Sequence, residues 1–419
     1  MDKKIAIVVQ RYGLEVNGGA EFHARILAEQ LVKRYSVEVL SSTALDYHGW
    51  DNYYPEGPDL VNGIAVRRFS TFKQRKKITR QARRAIYKKK KYFMILKFLG
   101  VFNRVDKAFR ISKITQQNID KWLIGQGPYV PDLIEYISEN KNRFDVFIFF
   151  TYLYYPTVVG MPIVAEKSIF VPTAHDEPIL YTKPYENIFS LPRFIMYNTE
   201  CERSLVEKHF KTSENVDVAG LGITPYAGKF EKLPENLTSK KYFIYIGRID
   251  LAKGCDKMIH YFLQFKKSNP QYNDYKLVVV GKNYMKKTYH DSSVFYTGFV
   301  SEELKHTYLY HALAMIMPSY YESLSLVTLE AMAAGVPVIV NRSCAVLYDH
   351  IVKSNTGASF DDQQTFTSSL QKYIDLSEDD HQKEKLRAQK YVTDSFDWKT
   401  VLAKFDRAVD MIVTAKKEI

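Results

Sequence analysis

Two carboxylates, Glu322 and Glu330, stand eight positions apart in the stretch PSYYESLSLVTLEAMAAGVPVIVN, Pro318 to Asn341. The apolar runs on either side, Ala312 to Met317 and Val336 to Val340, are short, rich in Val, Ile and Met, and bounded by Pro or Gly. That is the pattern of buried parallel strands. The segment between them has helical spacing, and Ser323 or Ser325 can start its helix. Glu322 then lies in a loop at a strand's carboxyl end and Glu330 in the helix behind it, where open α/β sheets bind ligands and helix amides favour an anion. Gly247-Arg248 closes the run Tyr242 to Ile246, and Lys253-Gly254 follows five residues later. Two cations at a strand end suit a diphosphate. The cluster Pro172-Thr-Ala-His175-Asp176-Glu177 ends the run Ser168 to Val171, and a His flanked by carboxylates can serve acid–base chemistry. Near the start, Asn17-Gly18-Gly19 joins an apolar strand, Lys4 to Gln10, to a helical pattern over Ala20 to Arg34. Glycine there lets a phosphate approach backbone amides. Each motif also has a plain reading, as solvated charges, a structural loop histidine or turn glycines.

These residues need a scaffold of alternating strands and helices. Further strands are expected over Ser36–Leu40, Gly63–Arg68, Phe144–Phe150 and Phe194–Asn198. After a Gly-, Pro- and Lys-bearing connection, Thr224 to Thr238, a second series runs through Tyr242–Ile246, Lys276–Val280, Val294–Tyr296, Ala314–Met317 and Val336–Val340. With 419 residues, 46% of them hydrophobic, the chain has ample core for two or three domains. It has no run of eighteen apolar residues and no cleavable signal, so a soluble, cytoplasmic enzyme is the expectation. Cys201, Cys255 and Cys344 lack metal-ligand spacing and read as reduced thiols.

The net charge of +12 is concentrated. Arg67 to Lys113 holds eighteen Lys or Arg against Asp106 alone, a local +17, which leaves 12 − 17 = −5 for the rest. Ile78, Ala82, Ala85 and Ile86 keep helical spacing among the cations, and Tyr92 to Phe102 is apolar and aromatic. A segment lying on an anionic membrane surface has this signature. A solvated helical insertion is the alternative, and nucleic acid is disfavoured because no binding motif accompanies the charge.

Taken together, Gly247-Arg248 with Lys253-Gly254, the Glu322 to Glu330 segment, the Asn17-Gly18-Gly19 loop and Thr173-Ala-His175-Asp176 resemble the retaining GT-B glycosyltransferases of family 4. The order and separation match over essentially the whole chain. The resemblance implies an α/β fold, GT-B, two Rossmann-like domains facing a cleft. Residues 1–223 would form the acceptor domain, with the basic insertion at about 71–113, and 224–394 the nucleotide-sugar domain; 395–419 would be a helix crossing back to the first. By the same resemblance Gly247, Arg248 and Lys253 hold the donor diphosphate, Glu322 the donor sugar and Glu330 the ribose. The amides around Ser325 and Leu326 meet the phosphates, faced by Gly18 and Gly19, and His175 with Asp176 lies by the donor sugar. The family often has glycine where this chain has Ser325. The implied co-substrate is a UDP- or GDP-sugar, with no cofactor and no metal. The implied acceptor is a glycan or lipid-linked sugar in surface-polysaccharide or glycolipid synthesis. The enzyme would be peripheral at the inner face of the cell membrane, held there through about 73–104. A nucleotide-sugar epimerase of the same fold, or a non-catalytic membrane-surface protein, remain the alternatives; intact Arg248, Lys253, Glu322 and Glu330 argue against the second.

Overall fold

The computed structural model describes residues 3–47, 49–72, 86, 115–285 and 288–415. The basic segment at about 73–104, with Arg83, Arg84 and Lys88 to Lys91, lies outside them apart from Ile86. The chain divides into two compact units: Met1–Ala219 with Leu402–Ile419, and Gly220–Val401.

The first unit is built on an eight-stranded sheet: β1 (Lys4–Val8), β2 (Ser36–Ser42), β3 (Gly57–Val61), β4 (Ile64–Phe69), β5 (Val146–Phe150), β6 (Ser168–Val171), β7 (Phe194–Tyr197) and β8 (Val216–Val218). Their order is β3-β4-β2-β1-β5-β6-β7-β8, parallel throughout except for β3 against β4. β5, β6 and β7 are buried at every position. This is why they read as unbroken apolar runs, since a parallel strand is covered on both faces. Phe147, Phe149, Phe170 and Tyr197 from these strands pack with Leu133, Ile137 and Phe189 into one core.

The second unit carries a six-stranded parallel sheet: β9 (Tyr242–Ile246), β10 (Lys276–Val280), β11 (Val294–Gly298), β12 (Ala314–Met317), β13 (Val338–Asn341) and β14 (Ala358–Phe360). The order β11-β10-β9-β12-β13-β14 is the doubly wound 3-2-1-4-5-6 arrangement. Its strand order reverses between β9 and β12, whose carboxyl ends carry Gly247-Arg248 and the Pro318 to Ser325 loop. The first sheet reverses in the same way between β1 and β5.

The last helix, Trp398–Ala415, begins in the second unit and continues as part of the first. Val401, Leu402, Phe405, Ala408, Val409 and Ile412, spaced three and four apart, are its buried stripe. Its polar side is tied to the first unit: Asp406 accepts from Arg34 and Tyr35, Asp410 pairs with Lys3, and Arg407 reaches Asp217 at 2.8 Å.

Candidate active site

In the second unit the chain leaves β9 through Gly247, whose amide extends the ladder to the Val280 carbonyl at 3.0 Å. The two cations beyond it are organised by Asp250. One carboxylate oxygen accepts from Arg248 Nε and the other from the Lys253 amide at 2.8 Å. Gly254, left-handed at φ 73°, then starts the helix Cys255–Ser268; a Cβ there would stand 2.7 Å from the Pro318 carbonyl oxygen. Only glycine lets the loop after β9 lie this close to the loop after β12. Lys253 Nζ meets Glu322 Oε1 across this junction at 2.6 Å, both side chains largely buried. Strand order has thus brought two motifs 69 positions apart into direct contact.

The helix Leu326–Ala333 starts at Ser325, held left-handed at φ 61°. Its hydroxyl lies 2.8 Å from that of Thr328, and its carbonyl accepts the Thr328 amide. The amides of Leu326 and Val327, which precede Thr328 in the first turn, have no partner inside the helix and are left for an anion at its start. His350, fully buried, fixes the turn: Nε2 is 2.8 Å from the Leu324 carbonyl and Nδ1 2.8 Å from the Tyr391 hydroxyl. The carbonyl can only accept, so Nε2 carries the proton and Nδ1 accepts from tyrosine. Burial lowers the pKa of this imidazole and keeps it neutral. Glu330, further along the helix, is raised in pKa by burial, with Lys305 opposing the shift. Cys255 and Cys344, close to these loops, are buried thiols pushed up to about 11. At neutral pH neither is a nucleophile.

In the first unit, Gly18 caps the helix Gly19–Leu31. Arg11 organises its loop, with Nη2 donating to the Asn17 carbonyl at 2.9 Å, Nη1 to that of Leu45 at 2.8 Å, and Nε to Glu21 at 2.9 Å. A Cβ on Gly18 would fall 2.1 Å from Glu21 Oε2. Since that carboxylate is locked to arginine, the position requires glycine. His175 follows β6. Its Nδ1 lies 3.4 Å from Glu177 Oε1, which also accepts from the Tyr152 hydroxyl at 2.7 Å, whereas Asp176 accepts from Tyr181 at 2.6 Å. The imidazole's carboxylate neighbour is therefore Glu177 rather than Asp176. Behind this loop, Glu202 is buried in the helix Glu200–His209, accepting from the Ala174 and Asn198 amides. It pins the His175 segment to the end of β7, and burial pushes its carboxyl up to about 8.

Asp250, Arg11, Glu202, Lys305 and His350 escape a reading of sequence alone. None sits in a repeated spacing: Lys305, His350 and Glu202 act on residues that the fold brings near, whereas Asp250 and Arg11 act within their own loops. Asp250, two residues after Arg248, was the most findable, since a carboxylate so placed can fold back on its own cation.

Residues 229–392 match the family described as Glycosyl transferases group 1. An uncharacterized glycosyltransferase of Methanocaldococcus jannaschii is 30% identical over 110 residues, spanning 24% of this chain and 27% of that relative. Sucrose-phosphate synthase from Thermosynechococcus elongatus superposes with a TM-score of 0.68 at 14% identity, covering 99% of this chain and 100% of its own. HepE of Anabaena, solved in complex with UDP and glucose, superposes with a TM-score of 0.61 at 13% identity, covering 98% and 100%. The chain therefore has the GT-B glycosyltransferase fold, and the match to group 1 glycosyl transferases falls on its second unit.

Proposed function

We propose that this chain is a retaining glycosyltransferase of family 4, moving a sugar from a UDP- or GDP-sugar to a glycan or lipid-linked acceptor. The observation that carries the reading is the junction at the switch point of the second sheet, where Lys253 contacts Glu322 at 2.6 Å beside Arg248 and the start of the helix Leu326–Ala333. Breaking a sugar–phosphate bond builds positive charge on the sugar and negative charge on the departing diphosphate. Arg248, Lys253 and the helix amides, fixed in advance, favour that charge more in the transition state than in the ground state. Glu322 takes sugar hydroxyls and Glu330 the ribose, and Gly18 and Gly19 are assigned to phosphate. His175, with Asp176 in the same loop, serves the sugar's reactive side. In the retaining reaction the acceptor attacks the face the diphosphate leaves, and a donor phosphate oxygen takes its proton. No metal enters this scheme.

The basic segment at about 73–104 favours a membrane-surface acceptor, at the cytoplasmic face, in surface-polysaccharide or glycolipid synthesis. No helix among the described residues is long and apolar enough to cross a membrane. A thermal-shift screen of nucleoside diphosphates and nucleotide sugars tests the donor assignment, since a ligand of the native state raises the melting temperature. UDP or GDP should raise it, with and without EDTA; no shift from any nucleotide overturns the reading.

A further inference from the structure

Glu330 is 18% exposed and has one ion-pair partner among the described residues, Lys305, whose Nζ lies 3.2 Å from Oε2. Lys305 comes from a different helix, Glu302–His311, and is itself only 13% exposed. Its second contact is Glu302 at 2.7 Å, three residues back and 63% exposed. The neighbouring His306 brings no charge: its ring stacks on Tyr226 at 4.1 Å, and burial pushes it down to about 4. A largely desolvated carboxylate is thus balanced by one lysine shared with a solvated one. Glu330 Oε1 takes no hydrogen bond from the described residues.

Building on the assignment of Glu330 to the ribose, we infer that Lys305 is a positioning residue for sugar-ring recognition, holding Glu330 as an aimed pair of acceptors for a vicinal diol. An ionised carboxylate accepts from two adjacent hydroxyls, whereas a protonated one offers a single good acceptor and a donor. Burial favours the protonated form. Lys305 is the charge that counters it, and its grip on Oε2 fixes the carboxylate while leaving Oε1 without a partner among the described residues. Arginine at this position would keep both effects, and methionine would keep neither while filling a similar volume.

The test measures binding of UDP and 2′-deoxy-UDP, with the GDP pair in parallel, to full-length wild type, Lys305→Met, Lys305→Arg and Glu330→Gln by calorimetry. Wild type should prefer the ribonucleotide at least tenfold. Lys305→Met should reduce that preference to within about threefold, and Lys305→Arg should restore most of it. Glu330→Gln, by far-UV circular dichroism a folded protein, should lose the preference too. If it keeps the preference, Glu330 is not the ribose group and the underlying assignment falls. If Glu330→Gln loses it while Lys305→Met keeps it, or weakens both nucleotides equally, the role of Lys305 is overturned. Should Lys305→Met fail to fold, Lys305→Gln replaces it under the same criteria.

Discussion

Lys253 and Glu322 neutralise one another at 2.6 Å, so each is held in place by the other before any anion arrives. A diphosphate would compete with the carboxylate for the lysine. Arg248→Ala and Lys253→Ala should each lower turnover about a hundredfold or more, at about 1.4 kcal/mol per tenfold, with unchanged circular dichroism. Near-normal steady-state turnover in both variants would remove the diphosphate assignment. Glu322→Gln should slow transfer yet bind UDP no more weakly than wild type, because Lys253 loses its competing partner. Glu330→Gln should chiefly weaken donor binding. Identical kinetic signatures for the two variants would refute this division. The types of these residues were legible in the sequence, because strand ends concentrate function in this architecture. The way Asp250 serves both Arg248 and the Lys253 backbone was not, since it depends on the turn between them.

At the scale of elements, what could be read was what is buried on both faces. β5, β6, β7, β9 and β12 stand out as apolar runs, whereas β3 carries Pro58 and exposes three consecutive residues. As an edge strand it tolerates the missing amide, and it offers no pattern to find. β8 and β14 have three residues each, below the length at which periodicity means anything. The helix starting at Ser325 was foreseeable, but its left-handed cap was not; serine there costs roughly 1–2 kcal/mol that glycine avoids. Glu202 ties two elements together and gives a pH-dependent prediction. Its native carboxyl is pushed up to about 8 from an ordinary 4.5, so the native state holds its proton to higher pH than the unfolded chain does. Its contribution to stability is complete below about pH 4.5 and is lost as pH rises towards 8. The melting temperature of wild type minus that of Glu202→Gln should therefore shrink between pH 5 and pH 8. A constant gap in thermal melts would show that this carboxyl does not titrate there.

Charge is distributed at the scale of the whole molecule, +17 within Arg67 to Lys113 against −5 elsewhere. If that segment lies on anionic lipid, neutralising Arg83, Arg84 and Lys88 to Lys91 together should release the enzyme from anionic vesicles, at roughly 1 kcal/mol per cation near the surface. Wild-type binding should weaken with salt while keeping a residue from Tyr92, Phe93, Leu96 and Phe98, which salt does not screen. Donor hydrolysis in solution should persist and transfer to a lipid-linked acceptor should fall. Vesicle sedimentation unchanged by the six substitutions would leave a solvated insertion as the better account.

The first unit is closed by residues made only after the whole of the second. Gly220–Val401 lies between Ala219 and the helix whose Asp406, Arg407 and Asp410 bind Tyr35, Asp217 and Lys3. At synthesis rates of about 5–20 residues per second, that intervening stretch takes roughly 10–40 s to emerge. For that interval the nascent sheet waits with the surface for Leu402, Phe405, Val409 and Ile412 uncovered. Chaperone demand during translation should therefore track the delay before this final helix, and slowing elongation between codons 220 and 401 should lower the yield of soluble protein more than slowing it before codon 219.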